Sequence, residues 1–279
     1  MIKNYNRRTD MADEWDVEPD ITKKGHIKKS KVVLDDKLAK KHNKPKGTYI
    51  TLEADAVVRS DKTKFDNIAL ALKDALLSLG NLDNCLVVGL GNAHLTADAL
   101  GNRVVSDLIV TRHLKKDLDA SMGVMSAITP SVLGVTGIES FDIIKGVVQN
   151  TNPSCIVAVD SLASATVARL ATAFQVSDAG ITPGSGVGNG RIALNQSNLG
   201  CPVYSIGVPL VVFASTIIQE VFDYSQIDDA KKKMNGIEDL IVTPKDIDML
   251  LVSCANIISL AINLSVHTGL NIADVGKFL

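Results

Sequence analysis

Residues 155–164 read CIVAVDSLAS, in which a run of five apolar residues is followed at once by Asp160. Short, nearly continuous apolar runs are typical of strands buried on both faces, as in a parallel sheet covered by helices. Residues 85–101, CLVVGLGNAHLTADALG, begin with a similar run, Cys85–Leu90, and Val203–Val208 forms a third. These three runs predict the central strands of one sheet.

The segments around these runs have the apolar spacing of helices or the alternation of half-buried strands. We predict a strand at Thr48–Glu53, helices at Lys64–Leu79, Ala97–Leu108, Phe141–Gln149, Asp246–Val266 and from Pro209 to Glu220, and helix N-caps at Thr96 and Ser161. Alternating strands and helices predict an α/β fold. We expect a three-layer α/β/α sandwich of the phosphorylase/hydrolase-like kind, with a mainly parallel (mixed) central sheet.

Composition and charge exclude several classes. The 279 residues are 46% hydrophobic, 4% aromatic and carry a net charge of −2, which argues against disorder and against a base-stacking nucleic-acid platform. Residues 1–64 hold 16 Lys and Arg against 11 Asp and Glu, so the chain begins with a basic elaboration, either a solvated surface or an arm for an acidic partner or DNA.

Targeting and redox features are sparse. No apolar run reaches the roughly 18 residues of a membrane span, and the N-terminus has no secretory pattern. The four cysteines are scattered, which favours reduced thiols in a cytoplasm over disulfides or a metal knuckle. We therefore expect one α/β domain without a membrane anchor.

Two acids follow buried strands. Asp160 comes at the end of its apolar run, and Asp98 is expected in the first turn of the helix after Cys85–Leu90. Ligands of open α/β sheets bind beyond the carboxyl ends of the strands, so the two carboxylates are expected in one crevice. Mutual repulsion would separate their pKa values into an acid and a base. Both acids also have structural interpretations. Asp98 would stabilise the N-terminus of its helix through the helix dipole, and Asp160 would accept hydrogen bonds from backbone amides at the end of its strand.

A glycine-rich stretch, ITPGSGVGNGR at Ile181–Arg191, predicts a loop whose backbone N–H groups approach a ligand. Its candidate contacts are Gly184, Ser185, Gly186, Gly188 and Asn189. It lacks the Lys-Ser/Thr ending of a phosphate-binding P-loop, so a loop at an active site is the preferred interpretation.

Several motifs occur together in order. They are KPKGTYITLE (Lys44–Glu53), VVGLGNxxxTxDALG (Val87–Gly101), VxxxLxVTRHL (Val104–Leu114), TGIExxxIIKGVV (Thr136–Val148), VAVDSLAS (Val157–Ser164), DAGITPGSGVGN (Asp178–Asn189) and LGCPVYSIGVPLVV (Leu199–Val212). This set resembles the spore germination protease family, the endopeptidases that degrade small acid-soluble spore proteins. The resemblance runs from about Arg7 to Val212.

The resemblance implies an atypical aspartic-type endopeptidase of the spore cytoplasm, made as a zymogen and assembled as a homotetramer, with no cofactor and no direct nucleic-acid partner. The family's two proposed catalytic aspartates fall on Asp98 and Asp160, the acids that the residue patterns single out. Ala97 and Asn102 stand where the family usually has proline, and these departures are expected to loosen the turn around Asp98.

The N-terminus contains a candidate cleavage site. Family members cut substrates within Thr-Glu-(Phe/Ile)-Ala-Ser-Glu, after the acid, and residues 9–15 read TDMADEW. The resemblance therefore implies self-cleavage between Asp10 and Met11, with 1–10 as a propeptide and 11–279 as the peptidase domain. The acidic residues of such a sequence are also expected to meet lysines of the 23–46 region.

Two alternatives remain open at this point. One is a metal-assisted peptidase on the same fold, with Asp98, Asp160 and His94 around one ion. The other is a non-enzymatic nucleotide- or DNA-associated module that uses the glycine loop and the basic arm.

Overall fold

A single mixed sheet organises the chain. The protein is described by a computed structural model that covers residues 8–54, 61–184, 191–221, 236–237 and 240–278. In these residues the strands are β1 (Asp20–Lys24), β2 (Ile27–Leu34), β3 (Gly47–Ala54), β4 (Cys85–Gly89), β5 (Met125–Ile128), β6 (Cys155–Ser164), β7 (Ala173–Ser177), β8 (Val203–Phe213) and β9 (Ile241–Val242). Their order is β1-β2-β3-β7-β8-β6-β4-β5, with β9 paired to β8.

The two halves of the sheet differ in direction. Strands β5, β4, β6 and β8 pair in parallel, whereas β7, β3, β2 and β1 extend the sheet from β8 by antiparallel pairing. The predicted α/β class with a mixed central sheet is confirmed. Parallel pairing is concentrated in the half that carries Asp98 and Asp160.

Helices cover both faces of the sheet. They are α1 (Asp36–His42), α2 (Lys62–Leu77), α3 (Leu100–Ser106), α4 (Leu133–Thr136), α5 (Ser140–Thr151), α6 (Gln196–Leu199), α7 (Ala214–Val221), α8 (Ile247–Val266) and α9 (Ile272–Phe278). The helices predicted at 64–79, 141–149 and 246–266 are confirmed as α2, α5 and α8, with ends within about two residues of the prediction.

Alternation along the central strands creates the three layers. Val87 and Val157 pack into the core formed with α2, α3 and α8. Their neighbours Leu86 and Ile156 face the other way and pack with α5 and α6. Because side chains of a strand point to opposite faces in turn, one nearly continuous apolar run supplies both layers.

Two strands are longer than the sequence predicts. β6 continues through Asp160 to Ser164, so the prediction that Ser161 caps a helix is wrong. β8 likewise continues through Pro209 to Phe213, and the helix expected from Pro209 begins only at Ala214. The two strands pair along their whole length, with a register shift between Leu162 and Ala163. This pairing between distant segments extends both strands past Ser161 and Pro209, where the local sequence predicts that the strands end.

The segment around Asp98 also differs from its prediction. A 3₁₀ turn at Thr96–Asp98 precedes α3, which begins at Leu100 rather than near Ala97. Asp98 therefore lies just before the helix and not in its first turn. Thr96 makes no capping hydrogen bond with its side chain.

The helix α8 corrects the expectation about apolar runs. It spans 20 residues with a mean hydropathy of 2.0, so by length and composition it is the one helix in the described residues that passes for a membrane span. Most of it is buried against α2 and α3, and the core of a globular domain accounts for that hydropathy. Its buried Asn263 accepts from the Ile109 amide (2.9 Å) and donates to the Asp107 carbonyl (3.0 Å).

Gly101 lies where α3 packs closely on the backbone of the sheet. A Cβ at this position would lie 2.4 Å from the Leu90 nitrogen and 2.6 Å from the Val159 oxygen, both backbone atoms. We expect Gly101→Ala to lower the free energy of unfolding by about 2 kcal/mol, because the strand backbone cannot move aside.

Urea denaturation measures this change, with Gly146→Ala in α5 as the matched control. No atom lies within 4 Å of a Cβ at Gly146, so this variant should gain up to about 1 kcal/mol from helix propensity. Equal stability of the two variants would contradict the close approach of α3 to the sheet.

Candidate active site

One cavity gathers the acids that the sequence singles out. It has a volume of about 460 Å³ and lies where β4 and β6 lead out of the parallel core. Asp98 and Asp160 both line it, as does Asp10 from the N-terminal segment. Arg191, which follows the glycine loop, adds a positive charge to the same lining.

Asp160 is the more buried acid, with 7% of its surface exposed. Burial raises its pKa well above the ordinary range, and the charges of Asp98 and Asp10 raise it further. The Ser161 amide, which donates to Oδ1 at 2.9 Å, and the charge of Arg191 offset only part of this effect. The folded protein thus favours the protonated form of Asp160.

Asp98 is only half-buried. Burial raises its pKa too, but the Asn92 amide donates to its Oδ2 at 2.8 Å, and this bond and the charge of Arg191 favour the ionised form. The turn that holds it depends on Gly91, which has φ +95° and whose Cβ would lie 1.9 Å from the Asp98 backbone oxygen. The two acids therefore lie in different environments. A general acid and a general base need such a difference, because it separates their pKa values.

The positions where the family usually has proline contribute to this turn. Ala97 lines the cavity. The Asn102 side chain donates to the carbonyl of Gly91 at 3.3 Å and approaches that of Leu90 at 3.5 Å. Asn102 therefore ties α3 to the turn that holds Asp98, through a donor that proline does not have.

The N-terminal segment pairs with the end of β6. The Asp10 amide donates to the Ala163 carbonyl (3.0 Å), and the Ala163 amide donates to Oδ2 of Asp10 (2.9 Å). Gln175 of β7 donates through Nε2 to the Asp10 carbonyl oxygen (3.1 Å) and accepts from the Ala12 amide through Oε1 (2.7 Å). One side chain thus holds the backbone on both sides of the Asp10–Met11 bond.

Met11 is fully buried in a small apolar pocket. It clusters with Leu162 and Ala173, with the half-buried Ile181 against them. Two of these residues, Leu162 and Ile181, also line the cavity. The side chains before and after the predicted cleavage point therefore occupy different surroundings, a carboxyl-lined cavity and an apolar pocket.

One lysine of the basic arm reaches this segment. Lys44 is half-buried, its ammonium lies 4.7 Å from the centre of the Trp15 ring, and burial lowers its pKa. The charge of Asp10 acts on Lys44 in the opposite direction and raises its pKa. Lys44, one of the lysines of the 23–46 region, therefore interacts electrostatically with Asp10, the acid before the predicted cleavage point.

The glycine loop is only partly described. Gly184 lines the cavity together with Ile181, Thr182 and Pro183. The other predicted contacts, Ser185, Gly186, Gly188 and Asn189, lie outside the described residues.

His94 does not join the acids. It is exposed, its amide donates to Oδ1 of Asn92 (3.0 Å), and it is not among the residues that line the cavity. In the described ranges, no three His, Cys, Asp or Glu side chains are grouped so as to hold a metal ion.

Sequence reasoning missed Arg191, Gln175 and Arg169. The only local signal for Arg191 was its place at the end of the glycine loop. Gln175 lies in an ordinary-looking strand, and Arg169 lies in a short 3₁₀ turn after β6. Only their contacts with the N-terminal segment distinguish them.

An α/β fold with two unlike carboxyl groups in a cavity, and an N-terminal segment of the same chain whose Asp10 lines that cavity, has features expected of a peptidase. A family model described as germination protease matches residues 3–235. The chain belongs to the germination protease family, and it is therefore a protease of spore germination. The predicted family is thus confirmed.

Curated relatives agree. The germination protease of Caldanaerobacter subterraneus subsp. tengcongensis is 39% identical and covers 88% of this chain and 86% of its own. That of Clostridium perfringens strain ATCC 13124 is 37% identical with 99% and 94% coverage. That of Bacillus subtilis strain 168 is 42% identical over 72% of this chain and 57% of its own.

Among solved structures, the NiFe hydrogenase maturation protease HycI from Thermococcus kodakarensis KOD1 aligns with a TM-score of 0.38 and 17% identity. It covers 68% of this chain and 97% of its own.

The raised pKa of Asp160 has a consequence for stability. Between its unfolded-state pKa, about 4, and its higher folded-state pKa, the native state binds the proton more tightly, so the free energy of unfolding falls as pH rises. Asn at this position cannot ionise and still accepts from the Ser161 amide. We expect Asp160→Asn to be more stable than the wild type at pH 7, with the difference growing from pH 4 upward.

Urea denaturation between pH 4 and pH 8 checks this difference. Asp142→Asn, at an exposed acid of α5, is the control and should leave the pH profile of the wild type unchanged. An Asp160→Asn protein with the same pH profile as the wild type would contradict the desolvation of this carboxyl.

Proposed function

We propose that this protease is an endopeptidase of atypical aspartic type, made as a zymogen that cuts its own Asp10–Met11 bond. One observation carries the proposal: Asp10, the residue before that bond, lines the same cavity as Asp98 and Asp160. The sequence singles out the acids and the bond by separate patterns, and their meeting in one cavity supports a common reaction.

Asp160 is proposed as the acid that holds the proton. Its burial, and the negative charges of Asp98 and Asp10 around it, favour the neutral carboxyl at pH values where an ordinary aspartate is ionised. A neutral carboxyl can give its proton to the Met11 nitrogen as the bond to the Asp10 carbonyl carbon breaks.

Asp98 is proposed as the base. It is half-buried, and the Asn92 amide and Arg191 favour its ionised form, so it can accept a proton from a water molecule in the cavity. The water oxygen then bonds to the Asp10 carbonyl carbon. The products are a new carboxylate on Asp10 and a new amino group on Met11, and the pair titrates as a coupled unit.

Gln175 is proposed to stabilise the charge that develops on the carbonyl oxygen. Its Nε2 donates to the Asp10 carbonyl at 3.1 Å, so the donor is already in place at the bond to be cut. A preorganised donor of this kind is among the larger contributions in acyl-transfer reactions. Gly184, which lines the cavity, is proposed to line the substrate path. Ser185, Gly186, Gly188 and Asn189 stay candidate substrate contacts on the sequence alone.

The zymogen state follows from the occupied groove. While residues 9–14 are held against β6 and β7, no other peptide can take their place at Gln175. Family membership supports the remaining proposals: small acid-soluble spore proteins as substrates, a homotetrameric assembly and a cytoplasmic location in the spore core.

Self-processing tests the two acids directly. We expect the full-length wild type, incubated at mildly acidic pH, to lose residues 1–10, because the fold favours the protonated form of Asp160. Asp98→Asn and Asp160→Asn should both stay intact. Intact-mass spectrometry measures the product, and Asp142→Asn is the control that should be processed like the wild type.

The dependence on protein concentration sharpens this test. Because Asp10 lines the cavity of its own chain, the proposed cut is intramolecular, and the processing rate constant should not change over a tenfold dilution. Loss of the same ten residues from Asp160→Asn would refute the acid role. Processing of Asp10→Ala at the same bond would refute the role of the acid before the bond.

Gln175 is tested on a peptide substrate. For hydrolysis of a synthetic peptide copying residues 8–16, we expect Gln175→Leu to lower kcat by about 10²–10³-fold, as removal of an oxyanion donor does elsewhere. Steady-state kinetics of protein produced without residues 1–10 measure the effect, because Gln175→Leu is also expected to slow self-processing. Gln196→Leu, at an exposed glutamine of α6, is the control. A change confined to KM would reduce Gln175 to a binding role.

A further inference from the structure

Beyond the bond to be cut, the N-terminal segment runs onto a buried arginine. The Arg169 guanidinium binds Asp13 in bidentate fashion, with Nη1–Oδ1 at 2.7 Å and Nη2–Oδ2 at 2.6 Å. Nη1 also lies 3.3 Å from Oε1 of Glu14. Two parallel hydrogen bonds to one carboxylate fix direction as well as charge.

Glu14 is bound by more than a charge. Its Oε2 accepts from the Ala165 amide at 2.7 Å, and its Oε1 accepts from the Ser164 hydroxyl at 2.8 Å. Thr9 also donates to Oε2. This carboxylate is thus surrounded by donors from the end of β6 and from the segment itself.

These groups are shielded from solvent. The side chains of Arg169, Asp13 and Glu14 are 9%, 5% and 10% exposed. Nearly buried charges are stable only when they are paired and hydrogen-bonded. Within the described part of the chain, Glu53, at 3.3 Å, is the one ion-pair partner of Arg169 that would remain if Asp13 and Glu14 left the groove. The vacated site would therefore favour another acidic peptide.

The positions between the bond and Glu14 are also selective. Met11 is buried with Leu162 and Ala173, and Ala12 is fully buried against Val32 and Tyr49. A large apolar side chain fits the first position and a small one the second. The groove therefore fits a peptide whose four residues after the cut are, in order, a large apolar residue, a small residue, a variable residue and a glutamate.

We propose that Arg169, with the Ser164 hydroxyl and the Ala165 amide, is the specificity-determining receptor for a glutamate four residues after the bond that is cut. Asp13 and Glu14 occupy it in the zymogen. They stay attached to the chain after the proposed cut, so a substrate takes the receptor by displacing them. The proposal rests on the proposed function in treating the N-terminal segment as a substrate held in place. It assigns the selection of substrates to the end of β6 and the turn that follows it.

Binding tests the receptor without requiring hydrolysis. The full-length protein carries Asp160→Asn, to prevent cutting, and Asp13→Asn with Glu14→Gln, to weaken its own segment. The probe is a fluorescent peptide copying residues 8–16, compared by anisotropy with the same peptide containing Gln in place of Glu14. We expect the glutamate peptide to bind at least about tenfold more tightly.

Adding Arg169→Gln should reduce that preference to less than about twofold. Arg112→Gln, at an exposed arginine outside the groove, is the matched control and should preserve the preference. Ser164→Ala keeps the guanidinium and should lower the preference by a few-fold, so it tests the receptor even if Arg169→Gln fails to fold. Equal preference with and without Arg169, or no preference in the parent protein, would overturn the proposal.

Different outcomes refute the receptor and the proposed reaction. If the wild type never processes itself but the glutamate peptide still binds more tightly in an Arg169-dependent way, the receptor is supported and the proposed reaction is refuted. If the wild type processes itself and hydrolyses the glutamate and glutamine peptides with equal kcat/KM, the proposed reaction is supported and the receptor is refuted.

Discussion

The rest of the structure depends on the continuation of β6 beyond the core. Its first half packs into both helical layers, Asp160 lies at its middle, and its last residues pair with β8 on one side and bind the N-terminal segment on the other. Asp160 therefore lies within the strand and not at its end. Its carboxyl is buried, and this burial raises its pKa.

Charge then organises what surrounds this strand. Negative charges from Asp98 and Asp10 converge on Asp160, and Arg191 offsets part of their effect. At the far end, Arg169 neutralises Asp13 and Glu14. The N-terminal segment is thus attracted at one end of the groove and adds a like charge at the other. Departure of residues 1–10 would remove one of the charges that hold the proton on Asp160.

Local patterns predicted much of this correctly where they depend on neighbouring residues. The apolar runs gave β4, β6 and β8, and the helical spacing gave α2, α5 and α8. They failed where a distant partner decides. The ends of β6 and β8 are set by their mutual pairing, and the 3₁₀ turn at Asp98 is set by its contact with Gly91. Neither Gln175 nor Arg169 has a sequence signature, because a polar residue near a strand is ordinary until its partner is known.

The sequence by itself determined the α/β class and the family, and it pointed to the two candidate acids and to the candidate bond at Asp10–Met11, because short-range periodicity and ordered motifs carry that information. Only the tertiary structure decided that Asp10 lines the same cavity as the two acids, that Asp160 is the more desolvated of them, and that Arg169 faces Glu14. The reason is physical: desolvation and pairing of charges are properties of the space between segments far apart in the chain, and one segment alone does not specify them.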